Sequence, residues 1–160
     1  MNMAERAEKP KISAMEKAMR LLSRRALTER ELYMKLKAAE YAYPEIRDTI
    51  AECRRRGFVN DEQFAADYAG VLADRGLGGR RIKLALSKRG IPRQLQEQPL
   101  EEAAETELER ALQALEYKLR MLSRETDPRR KREKAFRFLI SRGFSCDSCR
   151  EAIDKTDFTI

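Results

Sequence analysis

The sequence predicts an all-α protein, an elongated, right- or left-curved array of three tandem three-helix repeats with about nine helices in all. Three observations carry this prediction. Ala, Leu, Glu, Arg and Lys dominate the 160 residues, 38% of them are charged, and only seven glycines and five prolines occur, a composition of amphipathic helices rather than sheets. Apolar residues recur at intervals of three and four rather than two. A short pattern, Leu36 to Tyr41, returns as Leu86 to Ile91 and again as Leu139 to Phe144, at spacings of 50 and 53 residues. Repeats of that kind cannot each bury a core alone and pack side by side.

Residues 1–11 are charged, lack periodicity and contain a proline, so they read as a disordered leader. The first repeat is expected over 12–59. Ala14, Ala18, Leu21 and Leu22 share one side of its opening helix, and Lys17, Arg20 and Arg24 form a basic ridge on another. Thr28-Glu29-Arg30-Glu31 is a capping box that starts a second helix, with Leu27 placed for a hydrophobic staple and Leu32, Leu36 and Ala39 facing inward. Pro44 suits the first turn of a third helix, whose stripe is Ile46, Ile50 and Cys53.

The stretch Gly57 to Ala65 is a tight corner between helices. Gly57 ends one helix, Phe58 and Val59 are expected in the core, and Asn60 or Asp61 caps the next. On that expectation Phe58→Ala or Phe64→Ala costs about 3 to 5 kcal/mol. The second repeat, 60–100, then holds a helix over 61–75 with Phe64, Tyr68, Val71 and Leu72 on one stripe. Next come a glycine-rich joint from Arg75 to Gly79, read as a helix stop followed by a permissive joint, then a helix over 80–88 and a short helix ended by Pro99.

The third repeat, 101–160, opens with a long helix whose seam is Leu108, Leu112, Leu115, Leu119 and Leu122. Only about two heptads are present, which favours packing inside the repeat over a coiled-coil dimer. Asp127-Pro128 supplies a cap and first turn for a helix with Phe136, Leu139 and Ile140 inward, and 146–155 form the last helix before a tail at Phe158 to Ile160.

Chemistry is constrained by what is missing. The chain has no histidine, which removes Ser-His, Cys-His and histidine-metal arrangements. Cys146 and Cys149 have CxxC spacing, but only Cys53 remains to complete a zinc site, and no βαβ pattern supports a redox motif. A redox switch through this pair is a third, weaker functional reading. The Gly76 to Gly79 loop matches neither nucleotide-binding pattern and has no strand before it. No cofactor, metal or catalytic residue is expected, and the protein is read as a non-enzyme. An odd cysteine count and a start without an apolar segment point to the cytoplasm.

Net charge is +7, positive everywhere except over 101–126. Basic residues share helix faces in four sets: Lys17, Arg20 and Arg24; Arg47 and Arg54; Arg81 and Lys88; and Arg130, Lys134 and Arg137. Such sets meet phosphates or acidic side chains, giving salt-sensitive, largely sequence-independent binding.

The runs Leu21-Leu22-Ser23-Arg24-Arg25, Thr28 to Leu32, Gly57 to Ala65, Arg75-Gly76-Leu77-Gly78 and Lys88-Arg89-Gly90-Ile91 resemble the RecX family in order and register. The resemblance covers about residues 14–92, with a weaker echo over 138–153. It implies nine helices in three repeats and a small bacterial regulator of the RecA recombinase. Such a regulator binds in the groove of the RecA filament on single-stranded DNA, inhibits its ATPase, strand exchange and coprotease activity, and binds DNA more weakly. The expected partners are the RecA filament and single- and double-stranded DNA, with no membrane and no small-molecule substrate, and the protein is expected to be a monomer. The alternative is a general basic nucleic-acid-binding protein that competes with RecA for DNA. Leu77 and Gly79 depart from the family's usual glycine corner, where an aromatic residue and a proline are common.

Overall fold

A computed structural model describes residues 12–159; the expected leader, 1–11, lies outside them. Nine α-helices and no strand occur among the described residues. The chain divides into two compact units, residues 1–60 and 61–160.

In the first unit, α1 (Ala14–Leu22), α2 (Glu29–Ala38) and α3 (Tyr43–Arg55) start where local chemistry says they should. The Ser13 hydroxyl accepts from the Glu16 N–H, an α1 cap that the sequence reading passed over. Thr28 and Glu31 close the expected capping box on α2, and Pro44 sits in the first turn of α3. Ala14, Ala18, Leu32, Leu36, Ile46, Ile50 and Cys53 meet in one core. The Tyr41 hydroxyl donates to the Ile12 carbonyl at 2.7 Å, tying the entry to α1 against the end of α2.

The corner after α3 divides differently from expectation. Val59 is buried in this first core, but Phe58 is 43% exposed. Gly57 takes φ +75°, and Phe58 donates its backbone N–H to the Cys53 carbonyl at 2.8 Å. The chain therefore turns through a left-handed residue that swings Phe58 outward and Val59 inward.

In the second unit, α4 (Asp61–Asp74), α5 (Gly79–Lys88) and α6 (Arg93–Glu105) bury Ala65, Ala69, Leu72, Ile82, Leu86 and Ile91. Phe64 and Tyr68 are only half-buried, with ring centroids 5.6 Å apart and Arg89 over both rings, while Val71 faces out. Pro99 does not end α6: it lies inside the helix, buried beside Gln96 and Ala103 on the inward face. Loss of one backbone donor is tolerated where packing holds the helix on both sides of it.

α7 (Glu107–Met121), α8 (Pro128–Ser141) and α9 (Cys146–Asp154) surround a further core of Ala111, Leu115, Ala135, Leu139, Phe144 and Cys149. Asp127 caps α8 as expected, accepting from the Arg129 N–H at 2.9 Å. Phe158, expected in a tail, is buried in this core. Cys149 is buried and Cys146 exposed, and neither is in a disulfide. Burial pushes the Cys149 thiol up to about 11, away from the reactive thiolate.

The repeat proposed from sequence is visible in the backbone. Glu40, Gly90 and Gly143 all take positive φ, at 64°, 79° and 89°. After each, Tyr41, Ile91 and Phe144 donate back to the carbonyls of Leu36, Leu86 and Leu139 at 3.1 to 3.3 Å. The second helix of each repeat thus ends in the same way.

The glycine-rich joint is not a permissive loop. Gly78 donates its N–H to the Arg142 carbonyl at 2.8 Å, and Arg80 donates to the Gly143 carbonyl at 3.0 Å. The α5 N-terminus is filled by Glu107, which accepts from the Gly79 N–H at 3.1 Å and from the hydroxyls of Ser145 and Ser148 at 2.9 and 2.7 Å. A phosphate has no room there because a carboxylate already occupies the helix end. Burial raises the Glu107 carboxyl, but the bonds from Ser148, Gly79 and Ser145 together outweigh it and hold it below its ordinary range. A group lowered in the folded state adds stability above its unfolded value, near 4.3, and that stability disappears as pH falls through the folded value. Glu107→Ala is therefore expected to cost about 2 kcal/mol at neutral pH, with the difference from wild type shrinking below about pH 4 in chemical denaturation.

Candidate functional site

The four basic ridges fare differently once the helices are placed. On α1, Arg20 is paired with Glu16 at 2.7 Å and half-buried Lys17 forms no ion pair among the described residues; Arg24, exposed and likewise without an ion pair among them, falls in the turn after α1 ends at Leu22. On α3, Arg54 makes a two-pronged bridge to Glu29 of α2, Nε to Oε1 at 2.6 Å and Nη2 to Oε2 at 2.8 Å, and so holds two helices together. Arg47 rests on Asp48 at 3.3 Å. Glu52 is held down to about 2 by hydrogen bonds from Arg55 and Arg56, so those two arginines are also engaged within the helix.

On α5, Arg81 and Lys88 are both exposed and form no ion pair among the described residues. The α8 set is split. Arg130 lies 3.6 Å from Asp127, and Lys134 is 2.6 Å from Glu125 in the preceding loop. Arg137 instead shares a groove with Arg129, Arg132 and, from α9, Arg150. Sequence reasoning missed these three. The spacing 129, 132, 136, 137 on one face of α8 was the available signal.

A second groove, about 440 Å³, lies among α4, α7 and α8. Tyr117, 55% exposed, stands in its wall with Arg75, Arg142 and Gln113. Phe138 completes it, with the Lys118 ammonium 5.2 Å and the Arg142 guanidinium 5.1 Å from its ring centre. The exposed ring is Tyr117, which with Arg75 and Arg142 lining the same groove suits a base stacked above a phosphate chain. This pairing of α7 with α8 was invisible in sequence because the partners lie 20 or more residues apart.

No cluster of three or more carboxylates, cysteines and histidines able to hold a metal occurs among the described residues, and none of their helices is long and apolar enough to cross a membrane. The fold defines an all-helical protein of tandem three-helix repeats. The chain belongs to the RecX family: the models for its first, second and third three-helix domains match residues 14–53, 60–100 and 105–153. It is 32% identical over 139 residues to the regulatory protein RecX of Pasteurella multocida, covering 86% of this chain and 84% of that one. The regulatory protein RecX of Chlorobaculum tepidum is 33% identical over 147 residues, covering 91% and 89%. The crystal structure of RecX from Lactobacillus salivarius superposes with a TM-score of 0.82 at 25% identity, covering 89% of this chain and 93% of the other. The chain is thus a member of a family of regulatory proteins built from three tandem three-helix domains.

Proposed function

We propose that this chain binds the RecA filament on single-stranded DNA and inhibits its ATPase, strand exchange and coprotease activity. It works as a cytoplasmic monomer without cofactor, catalytic residue or small-molecule substrate. The observation that carries the reading is the family match across all three three-helix domains in order. In this reading the three repeats, over 12–59, 60–100 and 101–160, lie along the filament and bridge neighbouring RecA subunits, resisting the movements of ATP turnover.

Of the ten basic residues grouped from sequence, Lys17, Arg24, Arg81, Lys88 and Arg137 form no ion pair among the described residues and are free to meet the filament. Arg54 and Lys134 are committed to Glu29 and Glu125. Charge reversal of Arg81 with Lys88, or of Lys17 with Arg24, is expected to raise the concentration for half-inhibition of RecA ATPase by about tenfold or more. Reversal of Arg54 acts instead through a lower melting temperature. Equal inhibition by every charge-reversed set would exclude the basic faces from the contact.

The Tyr117 groove favours a second reading, a general nucleic-acid-binding protein that competes with RecA for DNA. A competitor acts weakly once RecA already covers the DNA, which distinguishes the two.

A further inference from the structure

We infer that the groove between α8 and α9 is a docking site for a protein segment that carries a bulky apolar side chain flanked by carboxylates. The groove has a volume of about 410 Å³. Its floor is apolar, with half-buried Phe136 from α8 and Ile153, 2% exposed, from α9. Arginines from both helices make its rim.

The charges of that rim are uneven. Arg132 is neutralised by Asp154 at 2.6 Å, a bridge that also ties α8 to α9. Arg129 and Arg137 form no ion pair among the described residues. Arg150 has only Asp147 at 4.0 Å, and that carboxylate is fully exposed. Three guanidinium groups are therefore left against the single carboxylate of Glu133, around a floor that water wets poorly.

Each part selects the occupant. An apolar floor between two helices takes a large side chain, the anchor of a short recognition segment. Guanidinium forks at its edge pair two-pronged with carboxylates. Nucleic acid fits less well: the half-buried Phe136 ring lies in the floor rather than open for stacking, and an apolar floor offers a base no polar partner. The inference names the chemistry of a partner segment, not RecA, and holds whether or not filament ATPase falls.

The test is fluorescence anisotropy on the full chain with a fluorescein-labelled peptide of roughly 12 residues, one Phe and one Leu four positions apart among Glu, Asp and Ala. Wild type is expected to bind it. Arg129→Glu with Arg137→Glu is expected to weaken binding by about tenfold or more with an unchanged circular dichroism spectrum, whereas Arg93→Glu on α6 leaves it within about twofold. Changing the peptide's Phe and Leu to Ser is expected to weaken it by about tenfold as well, a readout that needs no protein variant. Four results would overturn the inference: no binding by wild type, equal binding of the Ser peptide, stronger binding of an oligothymidylate through the same arginines, or a dimer of the chain that the double variant dissolves.

Discussion

Gly78→Ala is expected to destabilise the 61–160 unit by about 3 kcal/mol or more, a drop in melting temperature on the order of 10 °C. The φ of Gly78 is an ordinary −82°, so conformational strain is not the cause. Space is. A methyl carbon at Gly78 would overlap the backbone nitrogen of Phe144 and stand 2.5 Å from the Gly143 carbonyl oxygen. Those are main-chain atoms: the Gly143 oxygen accepts from the Arg80 N–H and so joins α5 to the end of α8, and the Phe144 nitrogen donates to Leu139. The reverse face is as tight: a methyl carbon at Gly143 would stand 2.6 Å from the Arg81 nitrogen. The comparison that isolates packing is Gly70→Ala, in the middle of α4 with nothing within 4 Å. That change is expected to stabilise by about 0.5 to 1 kcal/mol. A Gly78→Ala protein melting with wild type would mean that this joint opens in solution.

The second large effect is Phe144→Ala, expected at about 3 to 5 kcal/mol by urea denaturation, against about 1 kcal/mol for Phe58→Ala. The two residues look alike in sequence. Each follows a left-handed glycine, and each donates its N–H to a carbonyl five residues back. Phe144 is fully buried, with the Arg110 guanidinium 5.8 Å from its ring centre, whereas Phe58 is 43% exposed. The difference lies in which helix has ended. Phe144 follows the second helix of its repeat, as Tyr41 and Ile91 do, and all three turn inward. Phe58 follows a third helix, where Val59 takes the inward position. Equal losses from the two truncations would contradict this assignment.

These contrasts show what was legible before the structure. Features set by neighbours in sequence were read correctly: the Thr28 box, Pro44 in the first turn of α3, and Asp127-Pro128 before α8. Their physics is contained within a few residues. Pro99 defeated the local rule because helix packing overrode the loss of one donor. The candidate surface was less legible still. Helix spacing groups basic residues on a face but does not say whether a carboxylate from another helix will claim them. Arg54 and Glu29 lie 25 residues apart, and Arg132 and Asp154 lie 22 apart. Which cations remain for a partner is decided only when the helices pack. Likewise, the glycine-rich joint read as slack because its contacts, at Arg142 to Phe144, lie more than 60 residues away.

The central claim is that the chain acts on the filament rather than on bare DNA. The direct measurement is ATP hydrolysis by RecA filaments assembled to completion on single-stranded DNA before this protein is added. Binding along the filament predicts inhibition at fewer than one molecule per RecA subunit, undiminished by the order of addition. Full ATPase at saturating protein on preformed filaments, with inhibition only when the protein meets the DNA first, would contradict it and leave competition for DNA as the activity.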